Sequence, residues 1–204
     1  MPDLFDTIKQ RRSIRKYQPC AVPREVVLEV LEAAGWAPSA HNSQPWRFII
    51  IEDASVKHEL AEKMAQAWAD DLARDGITTE ETKRVERRER FANAPVLILA
   101  CVTMEGMHNF PDEKRRNCEH DLAVESLGAA MQNLLLAAHA KGLGACWYCA
   151  PSFCKETVRA ILKIPESVEP HALVVMGYPA EAPLVPARMA VGECCFVDEW
   201  GRMF

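Results

Sequence analysis

Apolar residues recur at helical spacing from the first turn of the chain onward. An amphipathic segment runs from Leu4 to about Arg12, and a clear helix starts at Pro23, with Val27, Val30, Leu31 and Ala34 on one face. Proline is tolerated in a first helical turn, and Gly35 with Pro38 ends this helix. The period then changes. Phe48 to Ile51 is an unbroken apolar run that predicts a strand, and Val96 to Val102 is a second, apolar on both faces and therefore central in a sheet. Between them the pattern predicts helices over about Ser55 to Asp75 and about Thr79 to Phe91. The longest helix spans about Glu119 to Lys141, with Ala123, Leu127, Ala130, Met131, Leu134 and Ala138 along one face and Leu122, Leu135 and Leu136 off it. A helix apolar around so much of its circumference is either the buried centre of the domain or packed against a second subunit. Gly142 ends it. A short strand over Cys146 to Cys149, a helix from Phe153 to Leu162 capped by Ser152, and a buried strand over Ala172 to Met176 complete the pattern. Helices and strands mix without the strict alternation of a doubly wound sheet, so the class is α+β.

Length and composition narrow the function. The 204 residues suit one domain with a full core, and no linker, repeat or low-complexity block divides them. The proline-dense stretch from Pro179 to Pro186 opens a C-terminal arm over about 179–204. A formal charge of -5 supplies no long-range attraction for nucleic acid or an anionic membrane, so a bound anion has to be held by locally placed arginines. The start Met1-Pro2-Asp3-Leu4 lacks the basic and apolar regions of a signal peptide, and no apolar run reaches the roughly 18 residues of a membrane span. A cytoplasmic protein is expected. The eight cysteines then read as reduced thiols. Cys146-x-x-Cys149 with Cys154, and the Cys194-Cys195 pair, lack a second well-spaced pair and read as buried thiols, so no metal site is expected.

Two constellations carry chemistry. In Arg11-Arg12-Ser13-Ile14-Arg15, guanidinium forks and a hydroxyl lie close together at a helix end and match the oxygens of a phosphate. The plainer alternative is a basic helix end that meets its own dipole and solvent. In the loop Pro38-Ser39-Ala40-His41-Asn42-Ser43-Gln44-Pro45-Trp46, Asn42 and Gln44 offer both donors and acceptors for the edge of a heterocycle, and Ser39 adds a hydroxyl. Its plainer alternative is a polar turn that satisfies its own backbone, with Trp46 as core.

Together with Gly142-Leu143-Gly144-x-Cys146-Trp147 after the long helix, these segments resemble the nitroreductase family of FMN-dependent oxidoreductases, in order from about Leu4 to Pro179. The resemblance implies a single FMN-binding domain over 1–204. It also implies a central mixed or antiparallel sheet of about four to five strands flanked by helices, and an intertwined homodimer with FMN at its interface. By motif position Arg11, Arg12 and Ser13 hold the phosphate and ribityl chain, and Arg15 faces the pyrimidine edge of the ring. Pro38, Ser39, Ala40, Asn42 and Gln44 approach the flavin from the other subunit. The family places a backbone N–H near flavin N5 in the region of Cys149, Ala150 and Ser152, where Pro151 has none, and Arg188 in the arm is a further phosphate contact.

The implied activity is hydride transfer from NADH or NADPH through FMN to a small conjugated acceptor, such as a nitroaromatic or quinone, by a ping-pong route. A narrower likeness, carried by Met64, Trp68-Ala69, Asp71-Leu72, Asp75-Gly76, His108, Pro111-Asp112 and Glu119-His120, is to the flavin-binding domain of the bifunctional glutamate ligase of deazaflavin coenzyme biosynthesis. It keeps two alternatives open: reduction of an unsaturated deazaflavin-type precursor, and a non-catalytic flavin or deazaflavin carrier. Gly142-Leu143-Gly144 follows a helix and lacks a third glycine, so it is not a dinucleotide fingerprint. Lys83 to Arg90 mixes charge signs at helical spacing and reads as a solvated face. His108 and His120 lie nearest the expected active-site region.

Overall fold

Strand β2 (Val96–Thr103) is buried along its whole length, and the rest of the molecule is arranged around it. In the computed structural model, residues 3–78 and 80–203 are described; the expected helix start at Thr79 falls outside them. β1 (Trp46–Ile51) and β4 (Val168–Gly177) flank β2, and β3 (Gly144–Tyr148) lies beyond β4. The order is β1-β2-β4-β3 with every neighbouring pair antiparallel, so the expected mixed or antiparallel sheet resolves as four antiparallel strands.

Alternation along β2 feeds two cores. Ile98, Ala100 and Val102 face α2 (Arg24–Gly35) and α5 (Glu113–Ala140). Leu97, Leu99 and Cys101 face α3 (Ala54–Arg74), α4 (Glu81–Ala92) and α6 (Lys155–Leu162). Each large side chain buried there contributes about 1.5–3 kcal/mol. Burial pushes the Cys101 thiol up to about 12, which makes it inert.

Several boundaries differ from the sequence expectation for physical reasons. α5 begins six residues before Glu119, because the Asp112 carboxylate accepts the Arg115 N–H at 3.0 Å. The residues Glu113 to Cys118 in that first stretch are exposed and carry no apolar period to detect. Ser152 does not cap α6. Its hydroxyl donates to the His171 carbonyl at 2.7 Å within a 3-10 turn over Ala150–Phe153. α1 (Leu4–Gln10) stops short of Arg12, and a short helix α7 (Val191–Cys194) lies in the arm.

One face of the long helix is the buried centre of the domain, since Ala123, Leu127, Ala130, Met131, Leu134 and Ala138 are all fully enclosed, whereas Leu122 on its other side is exposed. Further exposed apolar surface sits on α1, where Leu4, Phe5 and Ile8 face outward, and on the arm, where Leu184 and Trp200 are about nine-tenths exposed. No helix among the described residues is long and apolar enough to cross a membrane.

Candidate functional site

The arginine segment leaves α1 and is stitched onto β3. Ser13 bridges Ala145 in parallel, and the Ile14 N–H donates to the Ala145 carbonyl at 3.1 Å. The approach is so close that a Cβ on Gly144 would lie 2.6 Å from Ile14 Cβ, which explains why glycine stands there. Gly142, at φ 76°, turns the chain off α5, with its N–H on His139 and the Leu143 N–H on the Ala138 carbonyl.

Arg11 is the electrostatic outlier. Its charge is disfavoured first by burial, then by the Arg12 and Arg188 guanidinium groups, and eased by Cys146. Its Nη1 is buried and has no hydrogen-bond partner among the described residues. A buried, unpartnered guanidinium nitrogen repelled by two more cations is an arrangement that an anion would relieve. Arg12 turns back, donating to the Lys9 carbonyl at 2.6 Å and the Arg11 carbonyl at 2.7 Å, so the helix-end reading holds for one of its nitrogens. Arg12 also lines a cavity of about 380 Å³ with Gln10, Ile14, His139, Gly144 and Val185. Arg15 faces elsewhere, lining a second cavity of about 520 Å³ with Tyr17 and Arg90. Its N–H and that of Lys16 donate to Glu181 at 2.6 and 3.1 Å, which ties the start of the arm to this segment.

The Pro38–Gln44 loop is held by α5 rather than by the sheet. The Ala40 N–H donates to Ser126 Oγ at 3.1 Å, and the Gln44 N–H donates to Ser39 Oγ at 3.1 Å. His41, Asn42 and Gln44 have φ of 57°, 52° and 47°, a left-handed region costly for side-chain-bearing residues. The buried Ser43 Oγ has no partner among the described residues. Trp46 is buried at the start of β1, as its plainer reading requires.

Cys149 is exposed and leads into the 3-10 turn that contains Ala150 and Ser152. A third cavity of about 460 Å³ abuts this turn, lined among others by Met64, Trp68, Asp71, Arg87, Ala150 and Phe153. Arg87 lies over the Trp68 ring at 4.6 Å, so the charged helix α4 is not a wholly solvated face. Among the cysteines only Cys101 and Cys146 are buried; Cys149 and Cys194 are exposed, contrary to the buried-thiol expectation. Cys149 follows the last residue of β3, and Cys194 closes a helix of one turn on the exposed arm, so neither reaches a core.

The sequence profile of the nitroreductase family matches residues 8–178. This chain belongs to the nitroreductase family. A provisionally named NADH dehydrogenase/NAD(P)H nitroreductase of Methanothermobacter thermautotrophicus is 34% identical over 185 residues, covering 89% of this chain and 80% of that protein. Among solved structures, a provisionally named nitroreductase in complex with FMN from Desulfovibrio desulfuricans is 28% identical with a TM-score of 0.73, covering 98% of this chain and 99% of that one. A BluB-like flavoprotein from Clostridium difficile shares the fold at a TM-score of 0.79 and 24% identity, over 98% and 100% of the two chains.

Within this nitroreductase-family chain, the predicted residues fall into separate groups. Arg11, Arg12, Ser13 and Arg188 gather at β3, while Pro38, Ser39, Ala40, Asn42 and Gln44 lie against the first half of α5. Ser126, which holds the loop, and His139, which neighbours Arg11 and Arg12, are 13 residues apart on one helix. At 1.5 Å per residue the two groups are roughly 20 Å apart along its axis. Sequence reading passed over His139, whose imidazole is held below its usual range first by burial and then by Arg11 and Arg12. Trp147 enters there only as a mark of the resemblance, yet its buried Nε1 has no partner among the described residues. The Gly142-x-Gly144-x-x-Trp147 motif was the available signal for both.

Proposed function

We propose that this chain is an FMN-dependent oxidoreductase that takes electrons from NADH or NADPH and passes them to a small, flat, conjugated acceptor such as a nitroaromatic or quinone. The observation that carries this reading is the unpartnered, buried Arg11 Nη1 in a cluster with Arg12 and Arg188, an arrangement that fits the FMN phosphate. Bound there, FMN supplies the hydride chemistry. The chain's own residues bind and orient. Arg11, Arg12, Ser13 and Arg188 hold the phosphate and ribityl end, and Arg15, from the separate cavity it lines with Tyr17 and Arg90, offers a cation to the pyrimidine edge of the ring. Pro38, Ser39, Ala40, Asn42 and Gln44 reach the same flavin from a second subunit, and Cys149, Ala150 and Ser152 line the N5 side.

A homodimer is supported by the roughly 20 Å that separates the two groups along α5. The exposed Leu4, Phe5 and Ile8 of α1 are apolar surface of the kind that an obligate interface covers. One domain, with the arm over about 179–204 crossing to the partner, is the matching organisation. Eight unpaired thiols suit the reducing cytoplasm. The acceptor sits in the cavity between Trp68 and Phe153, whose volume is within the usual range for small-ligand sites.

That cavity also gathers Met64, Asp71, Leu72 and Asp75, four of the residues that carry the deazaflavin-enzyme likeness, which favours an unsaturated deazaflavin-type precursor as a second reading. Purified protein is expected to be yellow, to bleach with NADH or NADPH under anaerobic conditions, and to regain colour with a nitroaromatic or quinone. Parallel initial-rate lines are expected, because donor and acceptor use one flavin face in turn. Reoxidation by a deazaflavin precursor alone selects the second reading, and bleaching that no acceptor reverses indicates a carrier. Colourless protein that rejects added FMN overturns both enzymatic readings.

A further inference from the structure

We propose that His41, His108 and Glu119 form a binding site for one divalent transition-metal ion of the zinc class. The three come from separate segments: the loop after α2, the turn after β2 and the second turn of α5. One ligating atom from each lies within 4.8 Å of the others. The Glu119 side chain is only 7% exposed, a rare state for a carboxylate without a strong partner. Its two oxygens stand 3.4 and 3.3 Å from His41 Nε2, and Oε2 accepts the His108 N–H at 3.0 Å. His108 Nδ1 is 4.0 Å from Oε1.

An ion bound at about 2.0–2.1 Å in tetrahedral geometry sets its ligand atoms about 3.3 Å apart. His41 and Glu119 already stand at that separation. The two imidazoles are stacked with centroids 4.0 Å apart, an arrangement in which their lone pairs do not converge. The His108 side chain is 60% exposed, so a bound ion requires only that this ring leave the stack, from a Nδ1 that already stands 4.0 Å from Oε1. The backbone on both sides is already placed. Ser126 Oγ accepts the Ala40 N–H, and the turn at Gly106 packs so closely on Ser43 that an added Cβ would lie 3.3 Å from Ser43 Cβ.

Two imidazoles and one carboxylate are the ligand set of zinc-class ions; magnesium and calcium prefer oxygen alone. His41 and His108 both reach solvent, which leaves a fourth position for water. Metal uptake here does not depend on a bound flavin.

The test uses untagged full-length protein stripped with a chelator, then titrated with Zn²⁺ by calorimetry and with Co²⁺ by difference absorption. One equivalent is expected, with cobalt bands of nitrogen and oxygen ligation. Uptake should be at least about tenfold weaker in His108→Ala and in Glu119→Gln. His108→Ala changes an exposed side chain and should keep the flavin content of the parent protein. Undiminished uptake in His108→Ala, sub-stoichiometric uptake by the parent protein, or a thiolate charge-transfer band that puts the ion on cysteine would each overturn the assignment. Flavin content, read separately, reports on the oxidoreductase reading alone.

Discussion

The arginine segment and the Pro38–Gln44 loop are held by opposite means. The first is cheap in backbone and costly in charge. Sheet-like pairing with Ala145, the Tyr17 hydroxyl on the Ile14 carbonyl at 2.5 Å and the Glu181 carboxylate hold its course. Arg11, however, sits half-buried against two more cations. The second is cheap in charge and costly in backbone, with three side-chain-bearing residues at positive φ, a conformation that costs of order 1–3 kcal/mol each at functional sites. Ser39 Oγ and Ser126 Oγ hold that shape in advance. An anion therefore relieves the first region, whereas the second is preset and gains little on binding.

The strongest way to break this contrast is Gly144→Ala. The new methyl would overlap Ile14, and overpacking of this kind costs typically about 1–3 kcal/mol. Loss of co-purifying FMN and a clear drop in melting temperature are expected. Full flavin retention after gel filtration would falsify the view that close approach to β3 sets the arginines.

A paired test comes next. Arg11→Ala should weaken FMN binding by about 10–100-fold, since hydrogen bonds to charged groups contribute about 1.5–3 kcal/mol. The flavin-free protein should melt no lower, because a disfavoured charge has gone. Ser39→Ala should do the reverse, lowering the flavin-free melting temperature by about 2–4 °C and FMN affinity by less than tenfold. If melting and fluorescence-quenching titrations show the same pattern in both variants, the two regions do not differ as described.

The smallest effect concerns His139. Its imidazole is held below the usual value of about 6.5 by burial and then by Arg11 and Arg12. The unfolded chain thus binds a proton that the folded chain resists. The contribution to stability is full above about pH 6.5 and is lost as pH falls through the depressed value. Melting curves across that range should slope less in His139→Gln, and less again with FMN bound, whose phosphate offsets the arginines. A slope unchanged in the variant would assign the effect to another group.

The candidate site is built largely from patterns local to the chain. The arginine run, the amide-bearing loop and the second glycine before Ala145 are local patterns, because phosphate recognition, tight turns and close backbone approach each demand particular residue types. The start of α5 could not be read, because Glu113 to Cys118 is solvated on every side and only the Asp112 cap marks it. Arg87 was misread for the opposite reason. A charged residue at helical spacing gives no sign that Trp68, from another helix, will lie beneath it.

What the sequence by itself determined is most of the helices and strands, the apolar character of the strands, an arginine run of the kind that matches an anion, and membership of the nitroreductase family. All of these follow from residue type and short spacing. Only the tertiary structure decided that the two constellations sit against different parts of α5, that Arg12 and Arg15 line different cavities, and that His41, His108 and Glu119 converge. These depend on how helices and strands far apart in sequence pack across the sheet. Backbone direction and burial, which no local pattern encodes, settle them.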